Sequence, residues 1–269
     1  MEKQNKSQPV VLLGAIAGDI IGSRYEWHPV KTTDFELLNE ECFFTDDTVL
    51  TVAVASALLQ GGTFAEEIWD LGNRYPDRGY GNNFMRWLSG PKKEPYHSYG
   101  NGSALRVSSI GWAFDTLEEV LENAYRSAVV THDHPEGIKG AQSVALAVWM
   151  SRQKSSKADI RSEIIKRFGY DLDRTLAEIR PSYTFDVTCQ GSVPEAIIAF
   201  LESQDYESAI RNAISLGGDA DTQAAIAGSI AEAFYGPLDD GLVRFVKKVL
   251  PEEFWKVIKQ FNAQFIRQG

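Results

Sequence analysis

Two aspartate-rich segments, each placed where an apolar helix should begin, constrain this chain more than any other feature. The first is Phe44-Thr45-Asp46-Asp47-Thr48, running into Val49-Leu50-Thr51-Val52-Ala53-Val54-Ala55. The second is Gly217-Gly218-Asp219-Ala220-Asp221-Thr222, running into Ala224-Ala225-Ile226-Ala227-Gly228. One polar side chain is enough to cap the free N–H groups at a helix start. A further carboxylate packed against an apolar helix is costly unless positive charge meets it. Two such ends facing each other make a pocket of hard oxygen ligands, suited to Mg²⁺, Mn²⁺ or Ca²⁺. The segments lie near opposite ends of the sequence, so one fold has to bring them together. The plainer reading is ordinary N-cap chemistry, favoured by the helix dipole. The shared pattern of two aspartates and a closing threonine favours the metal. A calcium loop of the EF-hand type does not fit: counted from Asp219, its sixth position is Ala224 rather than glycine and its twelfth is Ile230 rather than glutamate.

Composition narrows the partners. The chain has 269 residues, 43% of them hydrophobic, enough for a sizeable core in a single domain spanning 1–269 with a tail at 1–8. With 27 basic against 37 acidic residues the net charge is -10, and no basic stripe with interleaved aromatics occurs, so nucleic acid is not the expected partner. Cys42 and Cys189 are the only cysteines, which supports neither a disulfide framework nor a thiolate zinc site and makes a reducing cytoplasm the simpler expectation. Lys3 and Lys6 ahead of Val10–Ala17 faintly resemble a secretory signal. That apolar run is interrupted by Gly14, Gly18 and Asp19 and is too short to cross a bilayer, so no membrane association is expected.

Apolar periodicity predicts an all-α fold of about a dozen helices. Residues 9–23 read as a buried helix in which Gly14, Gly18 and Gly22, four apart, leave a smooth groove for close helix approach. A loop over 24–44 precedes a helix at 46–60, and further helices are expected at 64–74, 82–89, 103–114, 116–130, 136–152, 158–168 and 171–179. The C-terminal part continues at 192–203, where Pro194 suits a first turn, and at 205–216, 222–235, 241–249 and 252–267. The best β-like stretch is 183–188, between Pro181 and Gly191. No repeat period and no Pro/Gly/Ser-rich linker divides the chain.

Three smaller constellations could carry chemistry. The loop Ser98-Tyr99-Gly100-Asn101-Gly102-Ser103 lets backbone come close to a ligand, with free N–H groups that favour phosphate, although a turn with a Ser103 cap explains it equally well. It is neither a Walker A loop nor a dinucleotide fingerprint. Glu26, between Tyr25 and Trp27, could have a raised pKa and transfer protons, or be a surface loop residue. Asp19, within the buried helix, reads as a hydrogen-bonded structural residue. His132 and His134 lack a third nitrogen or sulfur ligand for zinc, so a stacking or hydrogen-bonding role near the glycine loop suits them as well.

Taken in order, Gly18-Asp19-x-x-Gly22-Ser23, Thr45-Asp46-Asp47-Thr48, Gly100-Asn101-Gly102-Ser103-Ala104, Thr131-His132 and Gly218-Asp219-Ala220-Asp221-Thr222 resemble the ADP-ribosylglycohydrolases, over about residues 9–236. The resemblance implies a compact orthogonal helical domain around a dinuclear site of two Mg²⁺ or Mn²⁺ ions. Thr45, Asp46 and Asp47 would ligate from one side and Asp219, Asp221 and Thr222 from the other, with Asp46 and Asp47 also serving catalysis. Glu26 would gate the site or assist proton transfer. The Ser98–Ser103 loop would hold the diphosphate and adjoining ribose, with Tyr99 and His132 near the adenosine end. The implied reaction is cleavage of the C1″ bond of an ADP-ribosylated protein or ADP-ribose-derived small molecule, through an oxocarbenium-like state. Glu26 tilts the choice of linkage toward O-linked conjugates, ADP-ribosylserine or O-acetyl-ADP-ribose, against ADP-ribosylarginine. A monomer is expected.

Two rivals come from other classes. Prenyl-diphosphate and terpene enzymes also surround Mg²⁺ with two aspartate-rich motifs in an all-α fold. They need a DDxxD-type motif, and Asp46-Asp47-Thr48-Val49-Leu50 lacks the last acid. A non-catalytic, crystallin-like ADP-ribose-binding protein would be expected to have lost ligands, and here every expected ligand is present.

Overall fold

The computed structural model describes residues 10–91 and 93–266. The expected tail at 1–8 lies outside the described residues. The all-α expectation holds, with fifteen helices and no strand among the described residues. In chain order, the first six are α1 (Leu13–Gly22), α2 (Asp46–Gln60), α3 (Phe64–Arg74), α4 (Asn82–Ser89), α5 (Gly102–Leu105) and α6 (Ser108–Ala113). Then come α7 (Leu117–Ala128), α8 (Pro135–Arg152), α9 (Lys157–Phe168), α10 (Leu176–Ile179) and α11 (Cys189–Leu201). The last four are α12 (Tyr206–Ile214), α13 (Ala220–Tyr235), α14 (Asp240–Val249) and α15 (Glu252–Phe265). None of these helices is long and apolar enough to cross a membrane.

At the centre, α1 and α13 lie antiparallel in unusually close contact, and both are buried along most of their length. The three spaced glycines are the reason. A Cβ on Gly14 would stand 2.4 Å from the Gly228 carbonyl oxygen, one on Gly18 2.2 Å from that of Ala224, and one on Gly22 2.4 Å from Asp221 Cα. Running antiparallel, the last turn of α1 meets the first turn of α13, which sets Asp19 and the chain leading to Glu26 beside Asp221. The N-terminus of α2 is tied to the same place through Asp19.

The start of α1 is capped from its partner. Leu12 has a left-handed backbone (φ 76°) and offers no side-chain cap. Instead, the buried Glu232 of α13 accepts the backbone N–H groups of Leu12 at 3.0 Å and Leu13 at 3.2 Å. Burial pushes this carboxyl up to about 8 in spite of those donors. The folded protein therefore holds a proton on Glu232 where the unfolded chain, titrating near 4.5, has already lost it. Stability contributed by this group then falls as pH rises from about 4.5 to about 8. Glu232→Gln keeps an acceptor for the cap and removes the ionisation. Melting temperatures across that window should decline more steeply with pH for the wild type than for Glu232→Gln, and parallel curves would show that Glu232 is ionised throughout.

Several expectations are corrected. The helix expected at 103–114 is two short ones, α5 and α6, separated at Arg106-Val107. Over 171–179 only Leu176–Ile179 is helical. The β-like stretch 183–188 forms no strand; its one ladder pairing joins Thr188 to Gly100 of the glycine loop. The helix expected from 192 starts at Cys189, capped by the Thr188 hydroxyl, and Pro194 lies inside it rather than in its first turn.

Candidate functional site

The helix caps show that the paired aspartates are not needed as N-caps. At α2 the cap is Thr45, whose hydroxyl accepts the Asp47 N–H at 3.2 Å, so Asp46 and Asp47 are surplus to it. At α13 the capping position is Asp219, yet its carboxylate makes no cap hydrogen bond and accepts instead from Asn101 Nδ2 at 2.8 Å. The Asp221 carboxylate accepts the N–H of its neighbour Thr222 at 2.9 Å, and the Thr222 hydroxyl donates to Asp47 Oδ2 at 2.7 Å. That last bond joins the two segments directly. Asp19 sits behind them, wholly buried, accepting the Thr45 hydroxyl at 2.5 Å, the Thr45 N–H at 3.0 Å, the Thr48 N–H at 3.1 Å and the Thr48 hydroxyl. It orients the first turn of α2, the structural role its sequence position suggested.

Oxygens of Asp19, Asp47 and Asp221 lie within 4.8 Å of one another, and so do oxygens of Glu26, Asp219 and Asp221. Asp221 belongs to both trios. Among the described residues no ion pair reaches any of these carboxyls or that of Asp46. Burial pushes all of them up, and neighbouring carboxylates add to it at Glu26, Asp46, Asp47, Asp219 and Asp221. Asp47 and Asp221 stand well above the usual carboxylate range, as does the partly buried Asp46. Glu26 is raised to about 7 by burial, then by Asp221 and Asp19. Buried anions with no cation attached need either protons or a metal. The donor set of carboxylate and hydroxyl oxygens, free of sulfur and imidazole, fits a hard divalent cation.

The carboxylates form the floor of a cleft of about 660 Å³, lined by Glu26, Asp46, Asp47, Asp219, Asp221 and Thr222 and, on one wall, by Ser98, Gly100, Asn101, Gly102 and His132. That volume suits a ligand of dinucleotide size. The glycine loop is fixed to the floor and to the chain leading into α11. Asn101 Nδ2 reaches both Asp219 and Ser192 Oγ, the latter at 3.2 Å, and Asn101 N donates to the Val187 carbonyl at 2.8 Å. Gly100 and Gly102 do not have left-handed backbones, and a Cβ on either would meet protein atoms only at 3.4 Å or beyond. The fold does not itself demand glycine there; a side chain would intrude on the cleft.

Three sequence-predicted residues do not line this cleft. Thr45 is buried behind it as the α2 cap. Ser103 is fully buried, its hydroxyl donating to the Gly137 carbonyl at 2.7 Å rather than capping a helix. The Tyr99 ring turns outward to His134, with ring centroids 5.2 Å apart. Sequence reasoning also missed residues that do line it. Trp27 and Phe185 stack at the rim, 5.6 Å apart and 25° from parallel, both exposed. Tyr96 and Arg106 lie with His132 in the cleft lining, and Asn82, Asn83 and Phe84 of α4 contribute to it as well. An aromatic directly after Glu26 was the one available signal for the rim.

Known proteins share the sequence pattern and the fold. The sequence model described as ADP-ribosylglycohydrolase matches residues 10–260. ADP-ribosylhydrolase ARH3 of Homo sapiens is 30% identical over 307 aligned residues, covering 84% of this chain and 84% of that protein. A putative ADP-ribosyl glycohydrolase of Acanthamoeba polyphaga mimivirus is 23% identical, covering 83% and 85%. Among solved structures, an ADP-ribosylglycohydrolase-related protein complex superposes with a TM-score of 0.73 at 25% identity, covering 94% of this chain and 96% of that one.

Proposed function

Since the chain belongs to the ADP-ribosylglycohydrolase family, we propose that it hydrolyses the C1″–O bond of O-linked ADP-ribosyl conjugates, ADP-ribosylserine or O-acetyl-ADP-ribose, and releases ADP-ribose. The observation that carries this reading is the placement of Glu26 on the cleft wall, with a carboxylate oxygen within 4.8 Å of oxygens of Asp219 and Asp221. A serine alkoxide leaves only when a proton reaches its oxygen, so cleavage of the serine link needs a proton donor beside the ribose. An arginine conjugate starts as a cation and can leave as a neutral guanidine without one.

Asp46 and Asp47 on one side and Asp219, Asp221 and Thr222 on the other would hold two divalent cations, magnesium or manganese, with Thr45, as the α2 cap, fixing the first pair from behind. Bound there, the ions supply charge dispersal and an oriented water. The remaining work falls to the chain itself. Asn101 holds the glycine loop against Asp219, keeping the diphosphate wall at a fixed distance from the reacting carbon. Glu26 gives a proton to the leaving oxygen as C1″–O breaks, or takes one from the water that adds to C1″. Of the two residues assigned to the adenosine end, His132 lines the cleft and is the better placed.

The purified protein, assayed for free ADP-ribose with Mg²⁺, should release it from serine-ADP-ribosylated peptide and O-acetyl-ADP-ribose, and a chelator should stop the release. Glu26→Gln should slow it by about 100-fold or more, the lower range for lost proton transfer, with ADP-ribose affinity little changed. Release from arginine-ADP-ribosylated peptide alone would reassign the linkage. Chelator-insensitive release would remove the cations, and binding without release would leave a non-catalytic protein.

A further inference from the structure

Arg106 is fully buried, and among the described residues no carboxylate pairs with it. Its Nη2 donates to the Ser127 carbonyl at 2.6 Å and to the Thr131 hydroxyl at 3.2 Å, while Nε and Nη1 have no hydrogen-bond partner. An uncompensated buried cation is costly, so a role beyond packing is to be sought. Thr131 Oγ1 lies 2.7 Å from His132 Nδ1. Arginine can only donate, so the Thr131 oxygen accepts from Nη2, and of its two side-chain partners only Nδ1 can take the hydroxyl's own proton. An Nδ1 that accepts leaves the imidazole proton on Nε2. That nitrogen faces the glycine loop, 3.6 Å from where a Cβ on Gly100 would stand and 3.5 Å from one on Gly102. The first turn of α8 packs on the base of this side chain, where a Cβ on Gly137 would come within 2.9 Å of His132 Cβ.

We propose that Arg106 is a positioning residue which, through the Thr131 hydroxyl, locks His132 as the neutral Nε2–H tautomer and so presents a fixed hydrogen-bond donor to the ligand at the glycine loop. That the ligand is ADP-ribose rests on the function proposed above; the lock does not. The charged and titratable groups around the ring fit a neutral imidazole. Burial first, and then the Arg106 charge, hold His132 well below its ordinary value, and Tyr96, its other titratable neighbour, is kept neutral by burial. A donor with no competing protonation state suits a polyanionic ligand that must be released after each turnover.

Two-bond ¹H–¹⁵N correlation spectra of the imidazoles test this on the full chain. Only four histidines are present, and His132→Gln identifies the signal. The wild type should show His132 as the Nε2–H tautomer at neutral pH. Thr131→Val should introduce the Nδ1–H form and weaken ADP-ribose binding by about tenfold, the loss of one oriented hydrogen bond. Thr131→Ser, which keeps the hydroxyl, should restore both, and Arg106→Met, which removes the donor to the Thr131 oxygen, should behave like Thr131→Val. An Nδ1–H or imidazolium signal in the wild type would overturn the proposal. So would a Thr131→Val protein with unchanged tautomer and affinity. A wild type that shows the Nε2–H signal yet does not bind ADP-ribose would overturn the substrate assignment and leave the lock standing.

Discussion

Asp221→Asn is expected to reduce ADP-ribose release by at least about 100-fold, because removing even an outer partner of a metal ligand costs 10–100-fold. Asp221 is the one carboxylate common to both trios of clustered oxygens. Asparagine keeps its shape and can still accept the Thr222 N–H, so the helix start of α13 should survive and the loss should be one of charge. Stability separates this from misfolding. Without divalent ions the variant should melt no lower than the wild type, since one member of a mutually repelling, buried set of carboxyls has been neutralised. With Mg²⁺ the wild type should gain about 2.7 kcal/mol at a concentration one hundred times the dissociation constant, and the variant should gain little. Melting curves with and without Mg²⁺, run beside the release assay, check both halves. Wild-type turnover, or a Mg²⁺-dependent rise in melting temperature equal to the wild type's, would remove Asp221 from the metal site.

The parts of this site legible in the sequence are those where residue type, and not packing, carries the signal. Two aspartates where one cap suffices are anomalous in any fold. The structure resolves the anomaly by capping α2 with Thr45 and turning the Asp219 carboxylate away from the α13 N-terminus to Asn101. Glycines four apart on an apolar helix similarly announce close approach before the partner helix is known. What failed depends on partners distant in sequence. Residues 183–188 alternate as a half-buried strand does, with Tyr183, Phe185 and Val187 on one parity. Their exposed faces instead meet Trp27 and the cleft, with Phe185 and Val187 left 45% and 47% exposed. Arg106 reads as an ordinary basic residue on a helix. Only the fold shows that its helix ends at Leu105 and that its side chain is enclosed beneath Thr131. Tyr99 belongs to the glycine motif by position, but adjacent side chains of extended backbone point to opposite sides, and its ring faces His134 outside the cleft.

Gly18→Ala should be destabilising by about 2 kcal/mol or more, although alanine is the better helix former. On an open helix face the substitution would gain about 1 kcal/mol from propensity. Here the new Cβ would stand 2.2 Å from the Ala224 carbonyl oxygen, 2.5 Å from its carbon and 2.7 Å from the Ala225 nitrogen. All three are backbone atoms of α13, so no side-chain rotation can relieve the contact and the helices have to separate. Overpacking of this kind costs about 1–3 kcal/mol and sometimes more; with backbone on the receiving side the upper end applies, and it exceeds the gain in propensity. In a chain of this size 2 kcal/mol lowers the melting temperature by about 4–8 °C. Gly62→Ala, where a Cβ would meet nothing nearer than Glu67 Oε1 at 4.0 Å, is the control and should change little. Activity should fall further than stability does. Separating α1 from α13 moves Asp219 and Asp221 relative to Asp19 and Glu26, and a displacement of about 1 Å at a reacting centre can cost about 100-fold. Were Gly18→Ala as stable and as active as the wild type, the close α1–α13 contact could not be what sets the spacing of the carboxylates. The loop over 24–44 and the Asp19 bonds to α2 would then have to hold that spacing alone.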